Sequence, residues 1–393
     1  MKGYKPIVRS ENYLKNISLN SLDTEMKDLL LETESQQKKQ EDNLICDNKT
    51  LYFCEMLFGI KVLSSKERPA KISFRTCKFH ENANDIISKY QNSKKSLKTN
   101  EQEYPIYNFL LKGDANDINK ELKTFEIFNE INNIFHLKHL DSNYGMNLKR
   151  YLISPISCHV VLGEWLENSI TFSEIFNFQY GIYDLDQFAG YLKKEKKIEP
   201  GFILNEKEIM NVLYQYIDHQ IINPNIWYEY QKRYIISTAI WSLTCYLTGL
   251  GDRHLGNIMF MQNSGDIVHI DFGYVCGKGL SLPVPEIVYF RYTLNIRRNL
   301  GLFEENGIFF FYFYKTFSVF REFFKTLKSQ LDYYAFDPYF DNDNSTYNCL
   351  TSLSSTFNQI NDFNSKEFLI ELIGKCKDPY FLERMFIGWQ PQV

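Results

Sequence analysis

The stretch LTGLGDRHLGNIMFMQNSGDIVHIDFG, residues 247–273, constrains this chain more than any other. It closes a long apolar run, NPNIWYEYQKRYIISTAIWSLTCYLTG (223–249), that reads as one helix. Pro224 suits the first turn of that helix and Gly249 its C-terminal stop. The residues after Gly249 read as a hairpin, with Asn263-Ser264-Gly265 at the turn. A hairpin of this length returns Asp271 beside the loop that holds Asn257. Taken alone, Asp-Arg-His after a helix is usually a cap with a salt bridge, and Asp-Phe-Gly is a weak signal. Their order, on these elements, is hard to obtain by chance.

The oxygen ligands in this segment have a chemical use. Transfer of a phosphoryl group from ATP needs a lysine on the phosphates, hard oxygen ligands for divalent metal, and an acceptor for the attacking hydroxyl. Asp252 precedes Asn257 by the five residues that separate the loop aspartate from the metal-binding asparagine in ordinary protein kinases. Asn257 and Asp271 suit Mg²⁺ (or Mn²⁺). Asp252 can accept a hydrogen bond from the substrate hydroxyl. His254 can stabilise the transferring phosphoryl or take the proton. Met259 and Ile270 flank the metal ligands and are expected on one face of the adenine.

The rest of the chain supplies a setting. Residues 1–55 are polar and helix-leaning, and read as an N-terminal helical extension. Residues 56–75 read as strand, turn, strand. Residues 77–103 are rich in Lys, Asn and Ser without periodicity, and look like an inserted loop. YPIYNFLLKG (104–113) reads as a strand ending in Lys112-Gly113, and ELKTFEIFNEINNIF (121–135) as an amphipathic helix. YLISPISCHVVLGEW (151–165) is β-rich, and from about residue 205 the chain reads mainly helical. The fold class expected is α+β and two-lobed: a β-rich N-lobe over 56–165, a mainly helical C-lobe over 166–345, a linker over 346–361 and a terminal element over 362–393.

Composition removes several alternatives. Net charge is −4, from 44 basic and 48 acidic residues, so no overall basic field favours nucleic acid or an anionic membrane. None of the 8 cysteines forms a CxxC pair, which supports neither a zinc site nor a disulfide framework. The N-terminal residues show no apolar signal core, and the apolar run Ile308–Tyr314 is far too short to span a bilayer. A soluble, intracellular protein is expected.

These motifs resemble the phosphoinositide 3-kinase superfamily, whose members share the GxGDRHxxN loop and the HIDFG-type metal loop. VLSSKERPAKISF resembles its phosphate-binding loop, which implies that Ser64 and Ser65 meet the ATP phosphates. FLLKGDANDINKELKTFEIFNEIN resembles its Lys-Gly strand and following helix, which implies that Lys112 holds the phosphates with Glu121 as its acidic partner. VVLGEW resembles the hinge, with Trp165 where a tryptophan packs on adenine. DPYFLERMFIGWQPQV resembles FATC, the short terminal element of the PI3K-related protein kinases (PIKKs), and KGLSLPVPEIVYFRYTLNI resembles the PIKK activation segment, closest to ATR-like members. Two departures are visible. One residue is inserted before Glu121, and QPQV lacks the terminal aromatic usual in FATC.

The resemblance implies a serine/threonine protein kinase using ATP and Mg²⁺, with Ser/Thr-Gln protein substrates. DNA-damage checkpoint signalling, residence in the nucleus and also the cytoplasm, and a regulatory adaptor protein are implied with it. No direct sequence-specific nucleic-acid binding and no transmembrane segment are expected of this chain. A phosphatidylinositol 3- or 4-kinase is the alternative enzyme. It needs basic residues in the activation segment, which holds only Lys278 and Glu286 as charged residues between Gly273 and Arg291. A non-catalytic scaffold is expected to lose Lys112, Asp252, Asn257 and Asp271, all of which are present.

Overall fold

The computed structural model describes residues 51–56, 60–63, 69–78, 106–113, 118–157, 160–180, 212–221, 223–335, 365–385 and 389. Ser64 and Ser65, most of the expected N-terminal extension and insertion, the 346–361 linker, Phe386 and the QPQV terminus lie outside the described residues. Contacts gather the chain into two units, residues 1–55 with 75–106, and residues 56–74 with 107–393.

In the first unit the described residues are strand, including most of β1 (Leu51–Met56). This corrects the helical reading of 1–55 at its C-terminal end. Tyr52-Phe53 favour a pleated surface, and that local preference outweighs the polar composition upstream.

The second unit opens with a sheet. Its strands are β2 (Lys61–Val62), β3 (Ala70–Lys78, in this unit as far as residue 74), β4 (Ile106–Gly113, in this unit from residue 107), β5 (Ile153–Ser157) and β6 (Val160–Glu164). The order is β3-β4-β6-β5, with β2 pairing on β3. β4 and β6 run antiparallel with Lys112 opposite Val161 and Phe109 opposite Glu164. This register fixes the height of Lys112 relative to Trp165, just beyond β6. Between β4 and β5 run helix α1 (Ile118–Leu137) and the short α2 (Leu140–Tyr144). The predicted apolar face of α1 is buried at Phe125, Ile127, Phe128, Ile131, Ile134 and Phe135.

After Trp165 the chain is mainly helical. A second sheet, in the order β7-β8-β9, comprises β7 (Ser169–Thr171), β8 (Ile258–Met261) and β9 (Ile267–His269). α3 (Phe172–Tyr180), α4 (Val212–Gln220), α5 (Pro224–Thr248), α6 (Leu294–Arg298), α7 (Ile308–Glu322) and α8 (Phe324–Ala335) come in chain order around it. The chain ends in α9 (Ser365–Lys377) and α10 (Pro379–Leu382). Among the described residues no helix is long and apolar enough to cross a membrane.

α5 is the pillar. Asn223 caps it, its side chain accepting from the Asn225 N–H at 2.9 Å, and Pro224 takes the first turn. Every residue from Tyr234 to Thr248 is buried, so one helix supplies core on all sides. Its buried hydroxyls return to the helix: Thr238, Thr244 and Thr248 each donate to the carbonyl four residues earlier. Gly249 ends the helix at φ +58, where a β-carbon would lie 2.5 Å from the Gly277 nitrogen. Only glycine fits there, and the chain turns sharply into the next loop.

The apolar run at 308–314 opens α7, which packs on α5 and buries Phe309, Tyr312, Phe313, Phe317 and Phe320. α9 and α10 meet at the bend expected before Pro379. Asp378 caps α10 by accepting from the Tyr380 N–H at 2.9 Å. The terminal element buries Leu369, Leu372, Ile373, Leu382, Met385 and Trp389. Phe368 meets Tyr246 of α5 and Phe317 of α7 at ring separations of 5.9 and 5.8 Å.

Candidate active site

The end of α5, the β8–β9 hairpin and strand β4 bring Lys112, Asp252, Asn257 and Asp271 together. Gly249 throws the chain out of the helix into Leu250–His254, and a short 3-10 turn, Leu255–Asn257, leads into β8. β8 and β9 pair with Ile258 opposite His269 and Met259 opposite Val268. The ladder continues past the hairpin, with the Ile270 N–H donating to the Asn257 carbonyl at 3.1 Å. Asn257 and the Ile270-Asp271 step are therefore neighbours by backbone pairing, as the predicted hairpin requires.

The next residue, Phe272, anchors Asp271. It is fully buried in a cage of rings, with Phe125, Phe128, Tyr151 and Trp241 at centroid distances of 5.2, 5.0, 5.9 and 6.1 Å. Such edge-to-face and stacked contacts hold geometry as well as area. Trp241 also stacks on His269 at 4.5 Å and donates its indole N–H to the Ile267 carbonyl. With Phe272 locked, the Asp271 side chain stands 43% exposed.

Lys112 meets that carboxylate. Its Nζ lies 3.5 Å from Asp271 Oδ1 and 3.6 Å from Glu121 Oε2. Glu121 is buried in the first turn of α1 and accepts the Tyr151 hydroxyl at 2.6 Å. Burial, and then the Glu121 charge, push the Tyr151 phenol well above its ordinary range, so it keeps its proton and donates. The one-residue insertion before Glu121 has not separated the pair.

The loop is tied to itself. Asn257 Nδ2 donates to the Asp252 carbonyl at 2.9 Å. Both Asp252 and Asp271 sit in the left-handed region, at φ +58 and +59. His254 accepts the Gly256 N–H on Nδ1 at 3.0 Å, which leaves the proton of its neutral ring on Nε2. Burial lowers the His254 pKa, which favours this neutral form.

Of the remaining expected site residues, Trp165, Met259 and Ile270 lie among the described residues. Trp165 comes directly after β6, its N–H donating to the Asn108 carbonyl at 3.2 Å, and Lys71 Nζ lies 4.2 Å from its ring centre. Met259 and Ile270 are half-buried, on and just after the hairpin strands.

Three further residues shape the site and were not marked by the sequence. Arg253, buried, donates to the carbonyls of Gly251, Ile270 and Asp271, and so joins the loop to the metal-ligand strand. Glu286, buried in the activation segment, accepts the Asp252 N–H at 2.6 Å. Burial raises its pKa, opposed by hydrogen bonds from the Asp252 and Arg253 backbones. Tyr151 orients Glu121. The only outward sign of Arg253 was its place inside the loop, and Glu286 is the lone acid of an apolar segment.

Among the described residues no group of three or more His, Cys, Asp or Glu stands together as a metal cage. Asn257 and Asp271 offer two hard oxygens, which would suit a divalent cation such as Mg²⁺.

The family described as phosphatidylinositol 3- and 4-kinase matches residues 106–344, more than half of the chain. The chain belongs to that family. It is similar to serine/threonine-protein kinase MEC1 of Candida albicans, 29% identical over 60% of this chain and 11% of that protein. It is similar also to ATR of Arabidopsis thaliana (28%, 65% of this chain, 10% of that one) and tel1 of Schizosaccharomyces pombe (26%, 60% and 9%). The chain thus spans about a tenth of the length of these relatives. ATR-type and Tel1-type relatives align comparably, so the ATR-like branch expected from the activation segment is not singled out. The fold matches the FAT and kinase domain of CtTel1 with a TM-score of 0.67 at 18% identity, over 90% of this chain and 24% of that one. It is the two-lobed kinase fold that the motifs called for.

Proposed function

We propose that this chain is the catalytic domain of a PIKK-type serine/threonine protein kinase, transferring the γ-phosphoryl group of ATP to a protein hydroxyl. The observation that carries this reading is the convergence of the Lys112 ammonium, the Asp271 carboxylate and the Glu121 carboxylate beside the Asp252–Asn257 loop. A fold-level match alone would not carry it.

Each residue then has a role. Lys112 holds the phosphates, kept in place by Glu121 and Tyr151. Ser64 and Ser65 are proposed to add donors to the phosphates. Asn257 and Asp271 would hold Mg²⁺ (or Mn²⁺), which supplies neutralisation of charge on the phosphate oxygens. Trp165 packs on the adenine from the hinge side, with Met259 and Ile270 across from it. Asp252 orients the attacking hydroxyl and accepts its proton as the new P–O bond forms and the bond to ADP breaks. Of the two roles expected of His254, we favour donation to the transferring phosphoryl. Nδ1 accepts the Gly256 N–H, and a neutral ring then carries its proton on Nε2, which supports a donor role over that of a base.

Ser/Thr-Gln selectivity, ATR-like checkpoint signalling in the nucleus and an adaptor partner belong to the same proposal and rest on the resemblance of the motifs to ATR-like members; the names of the relatives support serine/threonine-protein kinase activity. The test offers the purified chain Mg-ATP with a Ser-Gln peptide, the matching Ser-Ala peptide and phosphatidylinositol vesicles, side by side. Phosphate on the Ser-Gln peptide alone is the expected result. Phosphate on the lipid would make the chain a lipid kinase, and transfer to none of the three would make it a scaffold.

A further inference from the structure

Glu286 is a charged group in a place that a solvated carboxylate does not choose. It lies in the segment LSLPVPEIVYF, whose Leu280, Val284 and Tyr289 side chains face solvent while Glu286 turns inward to 8% exposure. Its carboxylate occupies a niche whose walls are glycine. A β-carbon on Gly251 would stand 3.0 Å from Glu286 Oε2 and 2.7 Å from the Gly279 Cα, and one on Gly279 would stand 2.9 Å from the same oxygen. The niche is closed by backbone: the Glu286 N–H donates to the Gly279 carbonyl at 3.0 Å, and the Gly251 N–H to the Tyr274 carbonyl at 2.7 Å.

The group that enters this niche is the Asp252 N–H, 2.6 Å from Glu286 Oε2. Asp252 holds φ at +58, a region that aspartate enters more readily than most L-residues but that still favours an outside hold. A charge-assisted hydrogen bond from the neighbouring segment is such a hold. A second clamp is weaker and one residue on, the Arg291 guanidinium donating to the Arg253 carbonyl at 3.4 Å.

We infer that Glu286 is a positioning residue, whose carboxylate fixes the backbone of Asp252 and thereby aims the Asp252 side chain at the substrate hydroxyl. The Glu286 carboxylate meets the Asp252 backbone N–H, and so acts through Asp252. It links the order of the activation segment to the competence of the loop, so a displaced segment leaves ATP bound and the hydroxyl unoriented. The turnover measurement in the test rests on the protein-kinase reading above; the exchange measurement does not.

The test compares the wild-type chain with Glu286→Ala and Glu286→Gln. Three quantities are read: amide hydrogen exchange across residues 250–257, affinity for a fluorescent ATP analogue, and kcat on the Ser-Gln peptide. Glu286→Ala is expected to speed exchange in the loop and lower kcat by about ten- to a hundredfold, the range of one hydrogen bond to a charged group. Nucleotide affinity is expected to stay within about twofold. Glu286→Gln keeps an acceptor oxygen and is expected to recover most of both losses. If Glu286→Ala does not fold, Glu286→Gln and Glu286→Asp are read in its place, with loop exchange expected to follow acceptor reach. The inference is overturned if loop exchange is unchanged in Glu286→Ala, if nucleotide affinity falls in step with kcat, or if Gln is no better than Ala. A wild-type chain that transfers no phosphate would defeat the kinase reading, while loop exchange would still decide the role of Glu286.

Discussion

Removing the indole of Trp389 should loosen the site although the ring touches no reacting group. Trp389 is 2% exposed, and the buried Arg291 guanidinium lies 5.1 Å from its ring centre. Truncation of a buried tryptophan to alanine typically loses about 3–5 kcal/mol. With an unfolding entropy of about 2.1 cal/mol/K per residue, the second unit (residues 56–74 and 107–393), unfolding cooperatively, gives roughly 0.6 kcal/mol/K at the midpoint. Trp389→Ala should therefore lower Tm by roughly 5–8 °C, and Trp389→Phe by less. Arg291 would keep its buried charge but lose the ring against it, and its donation to the Arg253 carbonyl would weaken. The assay is a thermal melt beside peptide phosphorylation at a temperature well below both midpoints. Ile370→Ala, on the exposed side of α9, is the control and should leave both unchanged. A Trp389→Ala protein with wild-type Tm and turnover would refute the packing role of the terminal element.

The same geometry carries other expected outcomes. Asp271→Asn should fold normally, because the side chain is 43% exposed, and lose on the order of a thousandfold or more in turnover through weakened metal ligation; near-normal rates at any Mg²⁺ concentration would contradict the assignment. Asp252→Asn should keep ATP affinity and lose transfer, and His254→Ala should do so less severely, both read by comparing nucleotide binding with single-turnover rates. Trp165→Ala should raise the KM for ATP with a smaller effect on kcat, and an unchanged KM would make Trp165 ordinary core. Deleting residues 366–393 should destabilise the helical portion and eliminate activity without removing a catalytic group; survival of both would make the terminal helices dispensable.

Local signals explain what was legible in the sequence. Asn223-Pro224 and Gly249 bound α5 because each has a specific backbone reason to be there, and Asn263-Ser264-Gly265 turns the hairpin because Gly265 adopts φ +81. The meeting of Asn257 with Asp271 came from that hairpin alone. Lys112 and Glu121 lay on adjacent elements with clear periodicity, and Glu121 kept its place despite the insertion. Glu286 and Arg253 were illegible for the opposite reason. Each sits in irregular backbone, where no period of 2 or 3.6 tells which way a side chain turns. Their partners are backbone groups, which leave no mark on composition. β1 was misread because a polar stretch upstream hid a short aromatic strand. The branch within the family depends on substrate-reading contacts that no periodicity encodes.

The left-handed backbone at Asp252 and Asp271 bears on how activity is inferred across such chains. Aspartate and asparagine enter this region several-fold more readily than most residues, whatever chemistry they perform. A descendant that gave up catalysis would still find its backbone favouring Asp, Asn or Gly at both positions. Retained aspartates there are consequently poor witnesses to a working enzyme. Lys112, in a regular strand, answers to no such backbone demand, and its loss would be the earlier and cleaner sign that phosphoryl transfer had been abandoned.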